Sequence, residues 1–183
     1  MRLYIGLVHF PVYNKNHEKI VSAITTLDIH DMARLATTYD VSRFFIVTPL
    51  DDQQEFARRV LRHWLEGYGG RYNRHRKEAL ECVSVVGTLE QAIARIHEME
   101  GEAPLTIATD AANPKERSIS CTEAREAIWN NEVVALLFGT AWGLHEEAIR
   151  QADRVLVPIL GKKGYNHLSV RTAAAIILDR LAG

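Results

Sequence analysis

The stretch "VLVPILGKKGYNHLSVRTAAAIILDRL", Val155 to Leu181, runs through three kinds of sequence in succession. It opens as an apolar run of strand length ending at Pro158, crosses a polar, glycine-bearing loop, and finishes as a helix. The helical period is unbroken: Val170, Ala173, Ala174, Ile177, Leu178 and Leu181 form one apolar stripe with spacings of three and four. A strand, a glycine loop and an amphipathic helix together make the repeating unit of an α/β sheet. The stripe must pack on something. Its alanine-rich start allows close approach of either the sheet or a second copy across a dimer axis, and the pattern leaves both open.

Working outward, the same alternation fills the chain. Strand-length apolar runs lie at Leu3 to His9, Phe44 to Thr48, Val83 to Val86, Leu105 to Thr109, Val133 to Phe138 and Val155 to Pro158. Between them, Asp31 to Tyr39, Asp51 to Trp64, Thr88 to Met99, Thr122 to Trp129 and His145 to Gln151 read as helices, several opening on Asp or Thr as an N-cap. The expectation is a single domain over residues 1–183, an α/β fold with a parallel sheet of about six strands covered by helices. The one long segment without a clear period is "GYGGRYNRHRK", Gly67 to Lys77, which reads as a functional loop.

Composition narrows the function. With 47% apolar and 25% charged residues the chain is globular, and its net charge of -1 gives no overall attraction to nucleic acid or membrane, so any charge specialisation is local. No apolar span is long enough to cross a bilayer and the N-terminus does not read as a signal sequence, which points to a cytoplasmic protein. Cys82 and Cys121 are too few for a disulfide framework and fit a reducing compartment. There is no G-x-G-x-x-G, no P-loop, no H-E-x-x-H, no C-x-x-C and no G-x-S-x-G. A conventional dinucleotide site, metal catalysis and an activated serine therefore all lack a signature, and no metal is expected.

Three stretches can carry chemistry. In "LLFGTAWGLHEE", Leu136 to Glu147, a buried strand ends at Phe138, and Gly139 and Gly143 then let backbone approach a ligand or simply permit the turn. The loop in Val155 to Arg171 is a second strand-to-helix turn, in which Asn166 and Ser169 are candidate helix caps. The third is "RRVLRHWLEGYGGRYNRHRK", Arg58 to Lys77. It gathers Arg58, Arg59, Arg62, Arg71, Arg74, Arg76 and Lys77 against one acid, Glu66, with Trp64, Tyr68 and Tyr72 interleaved. Cations that neutralise phosphates beside aromatics that stack on bases make an RNA-binding pattern, and the alternative is a solvated helix face.

Taken together, "FGTAWGL" and "VLVPILGKKGYNHLSVRTAAAIIL" resemble motifs two and three of the SPOUT superfamily of knotted RNA methyltransferases. "LDIHDMARLATTYDV", with Arg34, looks like motif one, and "NHLSVR" is typical of the stand-alone group related to tRNA guanine-N1 methyltransferases. The resemblance implies a C-terminal deep trefoil knot, bent S-adenosylmethionine as cofactor, a homodimer, and tRNA or rRNA as partner. Carried over by position, Thr109, Phe138, Gly139, Thr140, Trp142 and Gly143 line one side of the cofactor. Pro158, Ile159 and Leu168 hold the adenine, and Asn166, His167 and Ser169 complete the loop. Arg34, Asn166 and Ser169 are the implied catalytic residues, and Arg58, Arg59, Arg62, Arg71, Tyr72, Arg74, Arg76 and Lys77 the RNA contacts.

Three positions depart from the ribose methyltransferases of that superfamily. Asp28 stands where many have Asn, Ala141 where they have Glu, and His167-Leu168-Ser169 where they have Ser-Leu-Asn. A base nitrogen is thus as good a target as a ribose 2'-OH. Asp28, Asp31 and Asp110 are equal candidates for a proton acceptor. Two rivals stay open at this point: a non-catalytic RNA-binding factor that keeps the fold, and a methyltransferase acting on a protein or small molecule.

Overall fold

In the computed structural model, which describes residues 1–112 and 116–183, all six residues of β1 (Leu3–Val8) are buried. A strand buried on both faces needs cover on both sides, and its alternate residues divide accordingly. Leu3, Ile5 and Leu7 join one core with Phe44 and Ile46 of β4 (Arg43–Val47) and Leu136 and Phe138 of β8 (Val134–Gly139). Tyr4 and Val8 join the opposite core with Phe45, Val47 and Leu137. The first core is closed by α1 (Thr26–Thr38), α2 (Asp51–Leu65), α4 (Arg74–Leu80), α6 (Cys121–Trp129) and α8 (Val170–Ala182). The second is closed by α5 (Leu89–Glu100) and α7 (Glu146–Gln151).

The sheet is parallel throughout, in the order β5-β4-β1-β8-β6-β9-β7, where β5 is Val83–Val86, β6 Leu105–Thr109, β7 Ser118–Ile119 and β9 Arg154–Leu156. All carboxyl ends therefore share one edge, and β9 is inserted between β6 and the earlier β7. A two-stranded ribbon of β2 (Val12–Tyr13) and β3 (Lys19–Ile20) leans over that edge through the bridge from Val12 to Leu144.

The expected class is found, with local differences. The sheet has a seventh strand, β7, which at two residues is too short to leave a periodic signal. Helix α1 begins before Asp31, because the Thr25 hydroxyl caps it by accepting from Asp28 N–H. Gly67 to Lys77 is a helical corner rather than a loop, made of α3 (Tyr68–Tyr72) and α4. A Cβ on Gly70 would fall 2.2 Å from the Trp64 carbonyl oxygen and one on Gly69 2.8 Å from the Trp64 ring, so the glycine pair seats α3 tightly on α2. Asn73 then caps α4, its side chain accepting from Arg76 N–H at 3.0 Å. The apolar stripe of α8 packs within the chain, against α6 and α1, with Ala174, Ile177, Leu178 and Leu181 buried. No helix is long and apolar enough to cross a membrane.

Candidate functional site

A cavity of about 990 Å³ opens where β8, β6 and β9 end. This is the crevice outside the carboxyl ends of the strands, where open α/β sheets bind ligands. All twelve residues expected at a cofactor, drawn from Thr109, the Phe138–Gly143 turn and the Pro158–Ser169 segment, line it. The size lies at the top of the range of about 300–1,000 Å³ usual for small-molecule sites.

One wall is the turn after β8. Gly139 has no room for a side chain, since a Cβ there would lie 2.4 Å from the Leu144 nitrogen. Gly143 sits at φ 100 and Ala141 at φ 52, so the turn passes through the left-handed region twice, once at a residue with a Cβ. The ribbon clamps it: Tyr13 N–H donates to Gly143 carbonyl, Trp142 N–H to Tyr13 carbonyl and His145 N–H to Pro11 carbonyl, all at 3.0 Å.

The other wall is residues 157–169. Among the described residues its ties are Val157 N–H to Ile119 carbonyl at 3.0 Å, Gly164 N–H to Gly161 carbonyl at 3.1 Å, Leu168 N–H to Asn166 carbonyl at 3.0 Å, and Asn166 Nδ2 to Ala111 carbonyl at 2.6 Å. Leu168 N–H is therefore engaged inside the loop, while Leu160, Tyr165 and Leu168 expose apolar surface. Of the two candidate caps, only Ser169 caps α8, accepting from Thr172 N–H at 3.3 Å.

Several cavity residues were not expected from the sequence. Ser22 and Thr25 line it from the segment between the ribbon and α1, and Arg171 lines it from the first turn of α8. Behind Ser22 lies fully buried His9, whose Nδ1 meets Ser22 Oγ at 2.9 Å; Ser22 Oγ in turn meets Thr140 Oγ1 at 2.5 Å. Burial pushes the His9 pKa down to about 4, against the opposing pull of the Asp28 carboxylate. Among the described residues, His9 Nε2 has no hydrogen-bond partner.

Among the three candidate carboxylates the geometry separates roles. Asp28 and Asp110 both line the cavity, and Asp28 is buried. One Asp28 oxygen pairs with the Arg171 guanidinium and the other accepts from the Thr25 hydroxyl at 2.6 Å. Asp31 lies outside, where Arg171 Nε reaches it at 3.3 Å. Arg171 thus joins α8 to α1 at the cavity rim.

Arg34 is exposed on α1 and does not line the cavity of its own chain. It lies near His30, whose pKa is lowered by burial and then by the Arg76 and Arg34 charges. The basic island falls on α2, α3 and α4, but its members differ. Arg62 pairs with Glu55 at 2.6 Å, Arg58 donates to Gln54 at 2.7 Å, and Arg76 lies over the Trp64 ring at 4.7 Å. Among the described residues, Arg59, Arg71 and Arg74 make no ion pair or side-chain hydrogen bond, and no cluster of three or more His, Cys, Asp or Glu is placed to hold a metal.

Comparison with known proteins matches residues 2–183 to a family described as SAM-dependent RNA methyltransferase. A tRNA (guanine-N(1)-)-methyltransferase of Oleidesulfovibrio alaskensis is 42% identical over 181 residues, which cover 99% of this chain and 42% of that protein. The chain thus spans less than half the length of that relative. An uncharacterized protein of Aquifex aeolicus is 36% identical over 180 residues, covering 98% of this chain and 87% of its own. Among solved structures, a probable methyltransferase from Bordetella pertussis superposes with a TM-score of 0.66 at 18% identity, over 99% of this chain and 94% of that one. At that identity the likeness concerns the fold.

Proposed function

The chain belongs to the SAM-dependent RNA methyltransferase family, and from that premise we propose that the cavity at the ends of β8, β6 and β9 is its S-adenosylmethionine site. We propose further that a nucleotide of tRNA or rRNA enters beside it. The observation that carries this reading is the meeting of two distant segments, the Phe138–Gly143 turn and the Pro158–Ser169 loop, around one cavity large enough for a nucleoside cofactor. The glycine cradle suits the group as well, because backbone at Gly139 and Gly143 can approach a ligand that side chains would hold off.

When bound, S-adenosylmethionine supplies an electrophilic methyl group on a positively charged sulfur. The residues around it have separate tasks. Thr140 and Trp142 bound one side; Pro158, Ile159 and Leu168 offer an apolar seat with backbone groups for a planar heterocycle; Asn166, His167 and Ser169 hold the loop over it. In-line displacement removes charge from sulfur, so no oxyanion hole is required and alignment of the acceptor supplies most of the rate. Asp28, held at both oxygens by Arg171 and Thr25, is the acceptor placed to orient a base N–H and receive its proton. That carboxylate favours a base nitrogen over a ribose hydroxyl as the target.

Arg34 is exposed and does not line the cavity of its own chain and, in our reading, serves the cavity of a second copy in a homodimer. Exposed Leu27 on α1 and Leu160, Tyr165 and Leu168 beside the cavity supply apolar surface for that contact. The insertion of β9 between β6 and β7 is the strand order that a threaded C-terminus would leave, in agreement with a knot. We read residues 1–183 as one methyltransferase domain acting in the cytoplasm, with the basic island at Arg58 to Lys77 facing RNA.

Titration calorimetry with S-adenosylmethionine, followed by transfer of labelled methyl into RNA from cells lacking the gene, tests this directly. Binding and RNA label are expected. Cofactor binding without label in any RNA would remove the catalytic assignment, and no cofactor binding would remove the site.

A further inference from the structure

The corner between α3 and α4 carries the most exposed aromatic pair of the molecule. Tyr68 and Tyr72 are 71% and 78% exposed, one helical turn apart, with ring centroids 6.3 Å apart and planes 26° from parallel. They cover no core. Uncovered aromatics are usually a liability in water, yet this corner is firmly built. Gly69 and Gly70 seat α3 on His63 and Trp64, Arg76 lies across Trp64, and Asn73 N–H donates to the Gly69 carbonyl at 2.9 Å while its side chain caps α4. The tyrosines are therefore held on a scaffold that leaves little backbone entropy to lose on binding. Arg71 and Arg74, both exposed and free of ion pairs among the described residues, flank them within the same corner.

We propose that this corner is a stacking platform for unpaired RNA: bases stack on Tyr68 and Tyr72 while Arg71 and Arg74 take the adjoining phosphates. The proposal deepens the reading of the basic island given above and rests on it. It divides the island into two sets. Arg58 and Arg62 are engaged within α2 by Gln54 and Glu55, and Arg76 ties α4 to Trp64, whereas Arg71 and Arg74 with the two tyrosines meet the ligand. It also selects a substrate class. Bases in an A-form duplex are stacked inside and present only backbone and a shallow groove, whereas bases of a loop or bulge can be splayed onto an aromatic face. The RNA recognised here is thus a single-stranded segment or loop rather than a helix.

The test compares RNA affinity at fixed salt, without cofactor, for an unstructured RNA oligonucleotide and for the same sequence in a duplex. The variants are the full chain with Tyr68→Ala and Tyr72→Ala together, Tyr68→Phe and Tyr72→Phe together, and Arg71→Ala with Arg74→Ala. The alanine pair should weaken binding of the unpaired RNA about tenfold or more, the phenylalanine pair should bind it like wild type, and duplex binding should barely respond to either. The arginine pair should weaken both RNAs and flatten the salt dependence. Unchanged S-adenosylmethionine affinity in calorimetry establishes that each variant is folded. Wild-type affinity of the alanine pair for unpaired RNA, or phenylalanine variants as weak as alanine ones, overturns the platform. Because the readout is RNA affinity alone, failure of methyl transfer would count against the catalytic reading and leave this result standing.

Discussion

The two walls of the cavity are built in opposite ways. The turn after β8 is clamped by the β2–β3 ribbon through three backbone bonds of 3.0 Å and is closed by buried Leu144, with no space beside Gly139 for even one carbon. The loop after β9 has no such clamp among the described residues and leaves Leu160, Tyr165 and Leu168 exposed. One side of the site is finished before any ligand arrives. The other still exposes apolar groups that a ligand can cover. The division suits a cofactor that is exchanged after every turnover.

The largest effect should come from spoiling the finished wall. Gly139→Ala forces a Cβ against backbone of the same turn, an overpacking that costs about 1–3 kcal/mol. Thermal unfolding should move down by roughly 3–10 °C. S-adenosylmethionine binding should fall below detection in calorimetry, and normal binding by this variant would mean that the turn is as adaptable as its counterpart. The second largest effect is on pH. His9, neutral and buried behind Ser22 and Thr140, has a pKa of about 4 against 6.5 in the unfolded chain. Between those values the unfolded state binds the proton and the native state does not, so the His9 contribution is constant above pH 6.5 and lowers stability as pH drops toward 4. The loss over that window is about 3 kcal/mol. Denaturant titrations across it should show the decline in wild type and a flatter profile in His9→Gln.

Smaller effects belong to the unfinished wall. Asn166→Ala removes the bond to the Ala111 carbonyl, a change of about 0.5–1.5 kcal/mol. Cofactor affinity should weaken about three- to tenfold, with little movement in Tm. The reverse pattern, a lower Tm with unchanged affinity, would make Asn166 part of the scaffold. Ser169→Ala loses the cap of α8 and should lower stability by about 1 kcal/mol, read as a Tm roughly 2–4 °C lower, whereas Ser169→Asp should retain the cap.

Legibility in the sequence followed the range of the interaction concerned. The stripe of α8 and the buried runs of β1, β4 and β8 are local patterns, and each was found where its period placed it. The corner at Tyr68–Leu80 was missed because its two helices are too short to establish a period and a Gly-Gly pair reads as a break. Its helicity comes from contact with Trp64, across a turn. The two cavity walls were recognisable through motifs, and Arg171 closes the quoted "NHLSVR", but Ser22, Thr25 and His9 had no motif to betray them. Those three reach the site because the ribbon and α1 fold over the sheet edge. The family match then placed the chain among SAM-dependent RNA methyltransferases, which residue patterns alone had reached only as a resemblance.

The strand order also bears on how the protein is made. Strand β7 emerges from the ribosome well before β9, yet β9 is its sheet neighbour and separates it from β6. Likewise β1 pairs along its whole length with the much later β8, from Leu3 beside Val134 to Val8 beside Gly139. A nascent chain can therefore assemble β1, β4 and β5 early, but the half of the sheet that carries the cavity must wait for β8 and β9. Such distant pairings are slow to form. Translation should pass through a stage with an exposed central strand, when a chaperone is most useful and a premature stop most damaging.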